Sequence, residues 1–271
     1  YNYVIAADEE AAQFKHAVEA IGTVTADSEA AISNAKAKYK VLSEEAKAVE
    51  GVSEASALLI QKDGEYFALL VNAVDTQSLD TDLTVSDKQA ADAAIAKAEE
   101  YYATLLDNAG SAEAKATLDE KKAAYDEVLA SVETLLTELE ESIAQLNLDG
   151  NITQDKLTVD YYKQLKQLKN GIDELGEYAA GIWQNNNAPL TAAVEKEIEN
   201  LLKTPAEIID EVEIFFDAVN GKVTVLCKAV NILGDTIAEN APTLSLTTYA
   251  ADTITHQAAF TGKDGVYHYT T

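Results

Sequence analysis

Leu118, Tyr125, Val132, Leu139 and Leu146 recur every seven residues, and Leu129, Leu136 and Ile143 run beside them, four positions after the first row. A period of seven lays one apolar seam along an α-helix, and a seam sustained for about four heptads has to be covered by another helix. The spacing predicts long antiparallel helices or a coiled coil. Leu148-Asp149-Gly150-Asn151 then turns the chain.

Helical periodicity extends over much of the remainder. The first six residues, Tyr1-Asn2-Tyr3-Val4-Ile5-Ala6, are β-prone. Phe14, Val18 and Ile21 fall at helical spacing, and Gly22 ends that run. Asp27 or Ser28 is placed to cap a helix with Ile32, Ala35, Tyr39 and Leu42 inward, and Ser43 starts a shorter one that ends at Gly51. Ser53–Ile60 reads as helix, Lys62-Asp63-Gly64 as a turn, and Tyr66–Val74 as a strand or a continuing helix. Asp75–Asp87 is a polar, acidic hinge, after which Ser86 and Gln89 make a capping-box pattern for a helix to about Leu106. Tyr162, Leu165, Leu168, Ile172, Leu175, Ala179 and Ile182 mark a second long helix, and Asn185-Asn186-Asn187-Ala188-Pro189 a loop. Thr204-Pro205-Ala206-Glu207 reads as a helix start, continued by Ile208, Val212, Phe215 and Val219. Val223–Leu233 fits a helix, although Val223-Thr224-Val225-Leu226 also suits a strand. After Pro242, Thr-rich stretches with period-two alternation and the turn Gly262–Gly265 predict a small β-element. The expected fold is mainly α: elongated helical bundles with long heptad helices, plus a small C-terminal β-element. The expected divisions are 1–75, 76–148, 149–241 and 242–271.

With 47% hydrophobic residues, the chain has enough apolar surface for a core. Its net charge is -27, and its 20 basic residues are all Lys. Phosphate contacts need basic side chains, with Arg the preferred fork, so nucleic acid is excluded as a partner. Anionic lipid is disfavoured for the same reason. The charge keeps copies soluble and mutually repelled. The apolar runs near Ala68–Val74 and Val223–Leu233 are too short and too polar for a bilayer, so no membrane insertion is expected. Cys227 stands alone, without an internal disulfide partner, and is read as a small buried hydrophobe. Met is absent even at position 1, which is read as a processed N-terminus.

Ala20-Ile21-Gly22, Val24-Thr25, Asp27-Ser28, Ala30-Ala31-Ile32, Ala35, Tyr39, Leu42 and Glu45-x-Lys47 form a compact pattern. Ala35-x3-Tyr39-x2-Leu42 returns as Ala98-x3-Tyr102-x2-Leu105. The pattern resembles the FIVAR-like three-helix modules of large Gram-positive cell-surface proteins, over roughly residues 12–60 and more weakly to about 140. The resemblance implies a spacer or stalk without catalytic residues, in an extracellular, surface-attached setting.

Chemical signatures are sparse. His16, His256 and His268 are not at metal-ligand spacing, and no nucleophile elbow, phosphate loop or dinucleotide fingerprint occurs. No enzyme and no cofactor is expected. Asp75, Asp80, Asp82 and Asp87 form a candidate calcium cluster at the hinge. Asn147-x-Asp149-Gly150-Asn151-x3-Asp155 and the segment from Asp217 to Thr224 resemble shortened calcium loops of the dockerin type. Asn151-Ile152-Thr153 is a glycosylation sequon. Trp183 beside Asn185–Asn187 suits either a sugar or core packing. The β-prone ends offer Tyr1, Tyr3, Val4, Ile5, Val266, Tyr267 and Tyr269 for strand addition between copies. The expected role is a non-enzymatic stalk module or a subunit of a filament or lattice. Its partners would be copies of itself or other surface proteins. An adhesin that binds glycans through Trp183 and the C-terminal β-element is the alternative.

Overall fold

A computed structural model describes residues 2–206, 209–217, 219–220, 222–237, 243–247, 255–259, 261–263 and 266–270. The chain is mainly helical and divides into two compact units, Tyr1–Glu133 with Gly176–Tyr178, and Thr134–Leu175 with Ala179–Thr271.

The first unit contains α1 (Asn2–Glu19), α2 (Glu29–Lys40), α3 (Glu44–Lys47), α4 (Val52–Ala73), α5 (Val85–Tyr102) and the first part of α6 (Ala112–Gln145). Helix α1 packs on α2, α3 and α4, and α4 packs on α5. Phe14, Ile32, Leu59, Phe67 and Leu118 are fully buried at the centre. Each contributes roughly 1.5–3 kcal/mol by leaving water. Local capping ties the short elements down. Ser43 Oγ accepts from Ala46 N at the start of α3, and Glu10 Oε2 receives both Ser43 N and Ser43 Oγ. Thr84 Oγ1 accepts from Asp87 N at the start of α5.

The second unit contains the rest of α6, α7 (Val159–Asp173) and α8 (Glu177–Lys203) after its first two residues. The heptad seam is the buried face of α6 in both units: Leu118, Tyr125, Val132, Leu136 and Ile143 are all buried. Leu165, Ile172, Trp183, Val194 and Leu201 supply the buried positions of α7 and α8. Beyond α8 the backbone runs as β1 (Ile209–Asp217), β2 (Lys222–Ala229), β3 (Thr243–Thr247), β4 (Thr255–Ala259), β5 (Thr261–Lys263) and β6 (Val266–Thr270). Strands β1-β2-β6-β5 form one antiparallel sheet, with Ile214 opposite Val225 and Cys227 opposite Tyr267, and β3-β4 form a second.

Several expectations need correction. The N-terminal residues from Asn2 onward are the start of α1, not a strand. Their β-prone composition yields to continuation with the amphipathic run through Phe14 and Val18. Lys62-Asp63-Gly64 lies inside α4, because Leu59, Asp63, Tyr66, Phe67 and Leu70 form one buried helical face. The box before α5 pairs Thr84 with Asp87 rather than Ser86 with Gln89. Asn185–Pro189 is helical within α8. Pro189 leaves the Asn185 carbonyl without its helical donor, yet the buried stripe continues past it, and Trp183 Nε1 donates to Thr191 Oγ1 across the proline turn. The residues 209–217 are strand rather than helix. Val212, Ile214 and Phe216 alternate along them, a period that overrides the helical one.

The long helix expected over 162–182 is interrupted at Glu174–Gly176. Gly176 explains the break. A Cβ built there would lie 2.6 Å from Asp82 Cα and 2.8 Å from Thr81 O. Next to it, Tyr178 N donates to Leu83 O at 3.0 Å. Only glycine permits this backbone approach. Gly176→Ala is expected to cost about 1–3 kcal/mol by overpacking, measured as a lowered midpoint in urea. An unchanged midpoint would show that the contact yields freely.

Candidate functional site

Asp63 is almost wholly buried, and both its oxygens are used. Oδ1 accepts from Lys36 Nζ at 2.9 Å and from Tyr101 OH at 2.7 Å, and Oδ2 accepts from Leu106 N at 2.9 Å. The Lys36 ammonium also reaches Thr104 Oγ1 and lies 4.9 Å from the centre of the Tyr101 ring. Tyr66 packs edge-on against Tyr101 and donates to Glu29 Oε2, which also pairs with Lys97 at 3.0 Å. Burial, with the Asp63 carboxylate beside it, pushes the Tyr101 phenol well above its ordinary value. The Lys97 hydrogen bond, followed by that of Tyr66, holds Glu29 below the usual carboxylate range.

The second unit repeats this chemistry. Glu197 is buried on α8, and its Oε1 accepts from Lys156 Nζ at 2.9 Å and Tyr161 OH at 3.0 Å. Lys156 Nζ also reaches Asp149 Oδ1 at 3.0 Å, and the carbonyls of Asn147 and Asn151 at 3.1 Å each. Burial pulls the Lys156 ammonium down, but Glu197 and Asp149 outweigh it and hold it above its ordinary value. Burial and the Glu197 hydrogen bond push Tyr161 up to about 12. The first signal for these clusters in the sequence is an acidic or basic residue at an inward helical position, as with Asp63 beside Leu59 and Tyr66.

A cleft of about 510 Å³ lies in the first unit between α4 and the turn into α6. Glu65, Asp107 and Glu113 line it with Ser111 and Gly64, and no histidine stands beside Ser111 there. The cleft can hold a small polar or cationic group, but it offers no imidazole to activate a nucleophile.

No family model, no curated protein and no solved structure matches the chain.

The candidate residues are dispersed. Asp75, Asp80, Asp82 and Asp87 are exposed. Among the described residues no three acidic, histidine or cysteine side chains converge for a metal, so the hinge cluster does not form. Asp80 instead accepts from Asp82 N, and Asp87 serves the α5 cap. Trp183 is 2% exposed with its indole N–H on Thr191, which removes the sugar-stacking face. Asn151 is exposed in its loop, where its backbone N–H donates to Asp149 Oδ1. Tyr1 lies outside the described residues, and Tyr3, Val4 and Ile5 are on α1. Val266, Tyr267 and Tyr269 are on β6, where Val266 and Tyr267 are paired to both β2 and β5. Among the described residues, the edges of that sheet are therefore β1 and β5. His16 is exposed on α1, and His256 and His268 lie on β4 and β6. In the second shortened calcium loop, Gly221 lies outside the described residues. Among the described residues, no helix is long and apolar enough to cross a membrane.

Asp63→Ala is expected to cost about 3–5 kcal/mol, because it strands a buried ammonium. The double variant K36M/D63L removes both charges and should lose much less. Urea unfolding followed by circular dichroism compares them, and equal losses would show that the ion pair does not govern stability. A second expectation concerns alkaline pH. An unfolded tyrosine titrates near 10, so the Tyr161 contribution is complete below about pH 10 and fades as pH rises toward 12. Difference spectra against Tyr161→Phe should isolate one phenolate transition near 12. A transition at 10 would contradict the buried Tyr161–Glu197 bond.

Proposed function

We propose that this chain is a non-enzymatic structural module of a cell-surface protein, acting as a stalk or as a subunit of an extracellular filament or lattice. The observation that carries this reading is the use made of the buried charges. Asp63 with Lys36, and Glu197 with Lys156, tie helices and loops together in the interior of their units. The window resembling FIVAR-like modules covers the end of α1, α2, α3 and the start of α4, which pack on one another around Phe14, Ile32 and Leu59. That packing suits a self-supporting spacer. In the subunit version, the C-terminal β-element provides the contact between copies. Among the described residues β1 is an edge strand, and an edge offers backbone groups that a second chain can satisfy. The glycan-binding alternative has lost Trp183 as its contact and is not carried forward.

A net charge of -27 opposes association between copies at low ionic strength. Added salt shortens the screening length to about 3 Å at 1 M. Self-association of the full chain is therefore expected to strengthen with sodium chloride, seen by light scattering and as ordered polymer in negative-stain micrographs. A chain that remains monomeric at every salt concentration removes the filament and lattice versions and leaves the stalk.

A further inference from the structure

The loop from Asn147 to Lys156 has the donor spacing of a shortened calcium loop, and its centre is taken by a lysine from its own end. Lys156 Nζ lies 2.9–3.1 Å from four oxygens: Asn147 O, Asn151 O, Asp149 Oδ1 and Glu197 Oε1. An ammonium has three hydrogens to give, so four acceptors are one more than it can serve fully. Two carboxylates against one ammonium also leave a net charge of minus one. A separate observation points the same way. Among the described residues Glu197 Oε2 is buried without a hydrogen-bond partner, although the other oxygen of the same carboxylate faces the ammonium. A lysine engages one oxygen of such a group, whereas a calcium ion takes both from a bidentate acid and prefers six to eight oxygens overall.

We propose that the 147–156 loop together with Glu197 is a binding site for a calcium-sized, oxygen-seeking cation, in which the Lys156 ammonium is the built-in occupant. Two carboxylates and two backbone carbonyls supply the protein ligands, and water completes the shell. Calcium–oxygen distances are about 2.3–2.6 Å, so the cradle has to close by roughly half an ångström. The loop side is suited to that movement: Asp149 is about half exposed, and Gly150 sits at φ +78°. Asp155, expected from spacing as a further ligand, is instead held by a hydrogen bond with Thr153 and stands outside the set. In the intact chain the tethered ammonium excludes the ion by its high effective concentration. Removing its side chain opens the site. The inference uses the Lys156–Glu197 pair that the surface-module reading also cites, but its readouts, terbium emission and calcium-dependent stability, do not depend on self-association.

The test uses the full chain and terbium, which follows calcium chemistry and emits when a nearby tyrosine is excited. Tyr161, bonded to Glu197, is that tyrosine. Lys156→Ala is expected to raise sensitised terbium emission several-fold over the wild type, and calcium should displace the signal. The same variant should show a thermal midpoint lowered in EDTA and raised by calcium, while the wild-type midpoint is unchanged by either. Adding Glu197→Gln to Lys156→Ala should abolish both effects. The proposal is overturned if Lys156→Ala, folded or not, gains neither terbium emission nor stability with calcium. It is also overturned if the Glu197→Gln background keeps the signal, or if the wild type binds equally well.

Discussion

A charged pair inside the core is the constraint on which the first unit depends. Asp63 cannot be left alone in an apolar interior, since an isolated buried charge costs far more than the fold has to spare. Its two oxygens therefore dictate where three other pieces of chain must be: Lys36 on α2, Tyr101 on α5 and the Leu106 amide in the turn that follows. Apolar neighbours such as Leu59 and Phe67 supply most of the driving force, but they tolerate sliding. The carboxylate does not, because a shift of one helical position leaves a donor or an acceptor unpaired. The pair adds little net stability against a well-packed apolar substitute, and its contribution is to specify one arrangement of α2, α4 and α5.

The second unit uses the same device with different parts. In each unit a buried carboxylate accepts from one lysine and one tyrosine, and the lysine lies near that tyrosine's ring, at 4.9 Å for Lys36 and 5.9 Å for Lys156. The absence of Arg from the chain shapes this choice. A guanidinium would engage a carboxylate with a planar fork, whereas an ammonium makes a point contact and leaves room for a phenol on the same oxygen. The outcome in the second unit is asymmetric, since among the described residues one oxygen of Glu197 carries both donors and the other carries none.

Much of the helical architecture was legible in the sequence because it is periodic. The seam of α6 could be read residue by residue, and Leu118, Tyr125, Val132, Leu136 and Ile143 are buried as the heptad requires. Local punctuation signals lose their meaning where tertiary packing opposes them. Asp63-Gly64 looks like a turn in isolation, but Asp63 has a lysine waiting on another helix. Asn185–Pro189 looks like a loop, but its flanks continue one buried stripe. The break at Gly176 was invisible because its cause is Asp82, remote in sequence. The cradle around Lys156 was half legible: the oxygen spacing of 147–155 was evident, while Glu197, brought in by α8, was not. Spacing reports ligands from one segment and is silent on those from another.

The return of Gly176–Tyr178 to the first unit has a consequence for the order of events during synthesis. The chain completes α1 to α5, then makes the rest of α6 and all of α7 for the other unit before the closing segment appears. At about 5–20 residues per second, the hydrogen bond from Tyr178 to Leu83 is delayed by several seconds after its acceptor leaves the ribosome. Until then the stretch around Asp82 lacks its partner, so a nascent first unit is a near-complete body with one open flank.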